Sequence, residues 1–289
     1  MNILVTGAGG QLGQELHRVV DEQSSKHSYY FCDRGALDLT DVSALEAFLE
    51  AHTIDLIINA AAYTAVDRAE DEPAQADLVN HQAVATLARL AKLRNAFLIY
   101  ISTDYVFSGD AHTPYAEDAP TSPLGVYGQT KCLGEQAIQA SGVRHQIYRT
   151  SWLYSAYGSN FVKTMHRLQQ ERSELNVVFD QIGSPTWARD LAHFLYMVVE
   201  QERLDVQGIF HYSNEGVCSW YDLAEAVRRL TKADCRIRPI RTSEYPTRAQ
   251  RPAYAVLDKT KLKETLGIEL PHWQTSLASC ITEIQSLTK

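Results

Sequence analysis

The sequence predicts an α/β protein: a doubly wound parallel sheet followed by a smaller substrate-binding region. Three observations carry this. Short apolar runs alternate with amphipathic helical stretches over the first 150 residues, the first run ends in a glycine-rich turn, and beyond 150 the alternation becomes irregular. Strands separated by helices require right-handed crossovers, which set the strands parallel and cover both sheet faces. The expected architecture is therefore of the Rossmann type. Residues 1–150 form its dinucleotide-binding domain, with a further strand from about 207–214, and 151–289 form mainly the substrate-binding region.

Each element has a local reason. Residues 2–6, Asn-Ile-Leu-Val-Thr, read as a buried strand that ends in glycines. Leu12, Leu16, Val19 and Val20 recur at helical spacing over 11–21. Residues 29–33 read as a second strand. The run from Leu39 to Val42 opens a helix with a Thr or Asp cap and an apolar face of Leu45, Phe48 and Leu49. Residues 54–59 are apolar on both faces, as in a central parallel strand. A long helix is expected over 73–95 with Pro73 near its start, then strands at 97–102 and 145–149 with a helix between. In the second half, 154–159 and 181–187 read as loops, 204–214 holds one strand-like run, and helices follow Trp220 and occupy 273–287.

Composition narrows the function classes. The 289 residues are 45% hydrophobic and 21% charged, enough for a core of ordinary size. A net charge of −8 argues against a nucleic-acid backbone as partner. No apolar run is long enough to span a membrane, and the N-terminal residues lack the pattern of a signal peptide. The five cysteines are scattered without a Cys-x-x-Cys pair, so they read as free thiols and the expected location is the cytoplasm. The histidines are scattered too, without metal-ligand spacing.

Gly7, Gly10 and Gly13 stand three residues apart between the first strand and first helix. Glycine suits a tight turn with positive φ and a close approach to a pyrophosphate, and the helix N-terminus adds free amides and partial positive charge. The spacing differs from the G-x-G-x-x-G of most NAD dehydrogenases, but dinucleotide binding is the reading. At the end of strand two, Asp33 suits a ribose 2′-hydroxyl and Arg34 a 2′-phosphate. The pair leaves NADH and NADPH both open.

Tyr127 and Lys131 lie four residues apart, so on a helix they share a face. A cation close to the phenol lowers its pKa towards the range of general acid–base work. Ser102-Thr103-Asp104 sits at the carboxyl end of strand four, where open α/β sheets bind ligands and a hydroxyl can hydrogen-bond a substrate carbonyl. Alone, each of these also fits an ordinary turn or helix surface; together they point to one cleft.

These motifs resemble the extended short-chain dehydrogenase/reductases. Residues 59–67 (Asn-Ala-Ala-Ala-Tyr-Thr-Ala-Val-Asp), 104–107 (Asp-Tyr-Val-Phe) and 149–154 (Arg-Thr-Ser-Trp-Leu-Tyr) resemble, within them, the dTDP-4-dehydrorhamnose reductase family. The likeness extends to Asn160-Phe161, 180–186 and Arg251-Pro252, nearly the whole chain. It implies reduction of the C4 ketone of a dTDP-sugar by NADPH or NADH, with Tyr127 as proton donor, Lys131 on the nicotinamide ribose and Thr103 polarising the carbonyl. It further implies cofactor contacts at Gly10, Gln11, Leu12, Asp33, Asp38, Leu39, Ala62, Tyr63 and Thr64, and sugar-nucleotide contacts at Asp104 and Trp152, although an aromatic beside a strand end is more often core. Some family members hold magnesium at a dimer interface through acids on the first helix and near position 190. Glu15 and Asp190 are present here, but Arg189 places positive charge where further acid is expected, which argues against a metal-bridged homodimer; no catalytic metal is predicted, and a structural magnesium stays open. A 4,6-dehydratase would need a second carboxylate where Tyr105 stands. A related epimerase or reductase remains an alternative, as does a non-catalytic cofactor-binding regulatory subunit, which would not need Thr103, Tyr127 and Lys131.

Overall fold

The structure, a computed structural model, describes residues 1–287. Its centre is a six-stranded sheet of β1 (Asn2–Thr6), β2 (Ser28–Cys32), β3 (Leu56–Asn59), β4 (Phe97–Thr103), β5 (His145–Thr150) and β7 (Gly208–His211). The order is β7-β5-β4-β3-β1-β2 and every pairing is parallel. The order reverses beside β1, which opens a crevice at the carboxyl ends of β1 and β3.

Helices cover both faces. On one, α1 (Gln11–Gln23) and α6 (Ala188–Glu200) bury Leu12, Leu16, Leu191, Leu195 and Val198 against Ile3, Val5, Ile58 and Ile99. On the other, α2 (Val42–Ala51), α3 (residues 73–93) and α4 (Val126–Ser141) bury Leu45, Leu49, Leu87 and Ile138 against Leu4, Ile57, Leu98 and Ile147. Asp41 caps α2 by accepting from the Ala44 amide at 3.0 Å.

The helix expected over 73–95 is interrupted. In α3, Pro73–Asp77 and Ala83–Leu93 are α-helical but Leu78–Gln82 is a π-helical turn. Such turns concentrate at functional sites, and this one aims the buried Asn80 at the loop after β3. The second half is more regular than its sequence suggests. It contains α5 (Phe161–Glu171), β6 (Glu174–Val178), α7 (Trp220–Thr231), β8 (Arg236–Ile240), α8 (Thr260–Leu266) and α9 (Trp273–Leu287). Strands β6 and β8 pair in parallel and pack with α5, α7 and α9 around Leu175, Leu223, Leu277 and Ile281. No helix among the described residues is long and apolar enough to cross a membrane.

Candidate active site

The turn after β1 has the geometry its glycines imply. Gly7 takes φ +73°, and a Cβ there would lie 2.6 Å from the Ala61 amide nitrogen. The glycine keeps the turn in contact with the loop after β3. Gly10 is the N-cap of α1, with no side chain closing the first turn, so its free amides and the positive end of the helix dipole face outward. The loop after β3 is held from both sides. Asn59 Oδ1 accepts from Thr6 Oγ1 (2.8 Å) and the Ala61 amide (3.0 Å), and Asn80 pairs with the backbone of Tyr63 (2.8 and 3.1 Å) while donating to Thr130 (3.2 Å).

Two adjoining cavities, of about 530 and 620 Å³, share Gly9, Gly10, Ala60 and Ala62 and run as one trough along the carboxyl ends of the strands. Gly10, Gln11, Leu12, Ala62 and Thr64 line the first, together with Thr103, Asp104, Tyr127, Lys131 and Trp152. Gly7, Asp33, Arg34, Asp38, Leu39 and Tyr63 line the second. Gly13 lines neither; it packs beneath the turn against Gly7 and Ala8. Asp33 accepts from the Ala36 amide (2.9 Å), while Arg34 pairs with Asp38 at 3.2 Å and is largely exposed. An elongated trough beginning at an uncapped helix N-terminus, with a glycine wall that a Cβ would fill, fits a dinucleotide.

At the other end of the trough the reacting groups gather. Thr103 ends β4 and its Oγ1 donates to Asp104 Oδ1 at 2.9 Å. Asp104 Oδ2 is buried without a partner. Burial pushes the Asp104 carboxyl up to about 7, against the Thr103 hydroxyl and the amides of Asp104 and Tyr105, which pull it down. Tyr127 meets Tyr105 edge to face at 5.4 Å. Burial pushes its phenol up to about 12, Thr103 lowers it and Asp104 raises it. The sequence pointed to Lys131 as the group that lowers Tyr127. Instead, Lys131 Nζ donates to the Ile101 carbonyl (2.7 Å) and stands over the Tyr100 ring (4.0 Å), and burial brings its own pKa down to about 7. A phenol kept protonated at neutral pH is suited to donate rather than accept a proton.

The far wall is aromatic. Trp152 has φ +47°, rare for a bulky residue, and stacks on Trp220 at 3.6 Å; Phe161 lies 4.6 Å beyond. Gly183 also lies against this ring: a Cβ there would be 2.6 Å from Trp152 Cε2. Trp220 was not read as a site residue, although the Ser-x-x-Asp box of Ser219 and Asp222 marks it as the first residue of α7. Asn160, which caps α5, also reaches the trough and donates to Gln11 Oε1 at 2.9 Å.

The acids that the resemblance linked to magnesium do not converge. Glu15 is fully buried, accepts from Ser155 Oγ (2.6 Å) and faces Arg189 Nη1 at 3.5 Å, whereas Asp190 accepts from Asn214 (2.6 Å) and Ser276. Arg189 also pairs with Glu22, so its guanidinium serves Glu15 and Glu22 while Asp190 is turned to Asn214 and Ser276, and the group does not fit a cation. No cluster of three His, Cys, Asp or Glu suited to a metal occurs among the described residues.

Comparison with known proteins agrees with this geometry. The family model described as RmlD substrate binding domain matches residues 1–286. A dTDP-4-dehydrorhamnose reductase of Burkholderia thailandensis is 40% identical over 99% of this chain and 100% of its own length. A probable dTDP-4,6-dihydroxy-2-methyloxan-3-one 4-ketoreductase of Streptomyces antibioticus is 42% identical over 98% of this chain and 96% of its own. The crystal structure of a dTDP-4-dehydrorhamnose reductase from Clostridium acetobutylicum superposes with a TM-score of 0.94 at 39% identity, covering 99% of this chain and 100% of that one. That of the Bacillus anthracis enzyme in complex with NADP gives 0.91 at 36%, covering 98% and 99%. Full-length likeness at these identities places the chain in the dTDP-4-dehydrorhamnose reductase family.

Proposed function

We propose that this chain reduces the C4 ketone of dTDP-4-dehydro-L-rhamnose to the alcohol, giving dTDP-L-rhamnose, with NADPH or NADH as reductant. The observation that carries the reading is the meeting of Thr103, Asp104, Tyr127 and Lys131 at one end of a trough whose other end begins at the glycine turn. The bound dinucleotide supplies the hydride that adds to C4. Thr103 hydrogen-bonds the carbonyl oxygen, and Tyr127 delivers the proton that completes the hydroxyl, so one hydride and one proton account for the product. Lys131 holds the nicotinamide ribose. Gln11, Leu12 and the loop 62–64 line the path of the cofactor, and Asp104 and Trp152 orient the sugar nucleotide.

Residues 1–150 with β7 form the cofactor half of this reading, and the rest mainly the substrate half. The acidic balance suits a small-molecule substrate rather than nucleic acid. Five free, buried cysteines suit the reducing cytoplasm.

The test is NADPH consumption with dTDP-4-dehydro-L-rhamnose. Tyr127→Phe is expected to lower turnover by about 10²–10⁴-fold while NADPH still binds; unchanged turnover would remove Tyr127 from the mechanism. The name of the Streptomyces relative supports a second reading, a different dTDP-keto sugar reduced at the same carbon. Silence with the rhamnose precursor and turnover with that sugar would select it.

A further inference from the structure

Two stretches of chain bring charge to the second cavity, and only one of them has a role so far. Asp33, Arg34 and Asp38 come from the segment after β2. Arg68, Glu72 and Gln75 come from the segment between β3 and α3, and none of these three reaches the first cavity. Arg68 belongs to a short helical turn, Val66–Ala69, that follows the loop after β3. The turn is anchored through its other residues. Asp67 accepts from Arg251 Nη2 at 2.8 Å and from the Ala249 amide at 3.1 Å, and Ala69 is fully buried. The backbone is thus held by the C-terminal half of the chain, while the Arg68 side chain stays 70% exposed at the cavity. Its Nη2 donates to Glu72 Oε1 at 2.7 Å, and Tyr63 Oη donates to the other Glu72 oxygen at 2.6 Å.

Charge decides what this second cation is for. Three acids, Asp33, Asp38 and Glu72, line the cavity with two guanidinium groups, Arg34 and Arg68, a formal balance of one negative charge. NADH adds no charge at its adenosine ribose. NADPH adds a 2′-phosphate, a monoester with close to two negative charges at neutral pH, which one arginine beside Asp33 does not offset. Both arginines are free to turn to it. Each is bound to an acid four residues away, Arg34 to Asp38 and Arg68 to Glu72, and exposed pairs of this kind contribute little. A guanidinium fork on a phosphate makes stronger, paired hydrogen bonds. The pyrophosphate of the cofactor does not call for Arg68, because the α1 amides at the glycine turn serve it where the two cavities join.

We propose that Arg68 is a second cation for the 2′-phosphate of NADPH, exchanging Glu72 for that phosphate as Arg34 exchanges Asp38, and so sets the preference for NADPH over NADH. The proposal rests on the dinucleotide reading of the trough and not on which sugar is reduced. The experiment titrates the intact, sugar-free protein with NADPH and with NADH. Arg68→Gln is expected to weaken NADPH by about tenfold or more and to leave NADH within about twofold. Arg68→Lys keeps the charge without the fork and is expected to fall between Arg68→Gln and the parent. Glu72→Gln removes the competing carboxylate, while its amide oxygen still accepts from Tyr63. It is expected to tighten NADPH about two- to threefold and to leave NADH unchanged. A pair that merely braces the turn would weaken both cofactors when either partner is replaced, so the opposite signs separate the two roles. An NADPH-to-NADH affinity ratio unmoved by Arg68→Gln overturns the proposal. Equal loss of both cofactors also overturns it, since Arg68 would then act on a part that they share. A parent protein that binds neither cofactor would overturn the dinucleotide reading as well.

Discussion

Burial holds the Asp104 carboxyl near 7, well above its ordinary 3.8, and this has a sign that can be checked. Between those values the folded chain binds a proton that the unfolded chain has already released, so this group makes stability fall as pH rises from about 4 to 7. Asp104→Asn removes the effect. Its stability relative to the parent is expected to climb across that window, by roughly 4 kcal/mol for a shift of this size, and parallel urea titrations at pH 4, 5, 6 and 7 read it. A difference that stays flat would mean that Asp104 is ionised throughout. At this scale the sequence was informative about chemistry but not about electrostatics. Thr103, Tyr127 and Lys131 could be named from their positions after a strand and along a helix. That Lys131 turns to the Ile101 carbonyl, and that Glu135 answers Arg149, depends on partners from different elements, which no local spacing encodes.

Elements set the walls of the trough, and their contacts are what substitutions disturb. Gly7→Ala places a methyl against Ala60 and Ala61 at a φ of +73°, so a loss of about 1–3 kcal/mol and of cofactor binding is expected, read by thermal melts and NADPH titration. Trp220→Ala removes the stacking partner of a Trp152 held in the left-handed region, and Gly183→Ala drives a methyl into that ring. Both are expected to raise KM for the sugar nucleotide several-fold more than they lower kcat, and similar effects from the two substitutions would locate the cause in Trp152. An unchanged KM in both would remove the stack from substrate binding. The elements that sequence reading missed have different reasons. Helix α6 buries Leu191, Phe194, Leu195, Val198 and Val199 on one side, a regular helical repeat; what no local spacing encodes is that this face closes the sheet built from the first half of the chain. The π turn in α3 left no trace because Asn80 is an ordinary polar residue until its partners, Tyr63 and Thr130, come near. Strands β1, β3 and β4 were legible because burial on both faces leaves continuous apolar runs.

Across the whole molecule the two halves of the sequence are not separable units of stability. Helix α6 and strand β7 come from beyond residue 187, yet they complete the sheet and one of its faces. A fragment ending at residue 150 would expose the apolar residues that α6 covers and leave β5 an open edge, so it is expected to lack a cooperative melt by circular dichroism. A sharp transition in that fragment would show that the first half folds alone. The junction of α1, α6 and α9 yields a second expectation. With Glu15 engaged by Ser155 and Arg189, EDTA is expected to leave turnover and melting temperature unchanged, while Arg189→Ala lowers the latter by leaving a buried carboxylate unpaired. A loss of activity with EDTA, recovered by magnesium, would overturn it.

The place of β7 also bears on how the chain is born. Its partner β5 is finished at Thr150, but β7 ends at His211. At about 5–20 residues per second, a ribosome leaves that strand edge bare for several seconds after the five preceding strands have emerged. An exposed parallel edge beside an uncovered apolar face is a target for other nascent chains. Slow codons between these two strands would therefore lengthen a sticky interval, and the yield of soluble protein should be more sensitive to translation speed there than anywhere upstream.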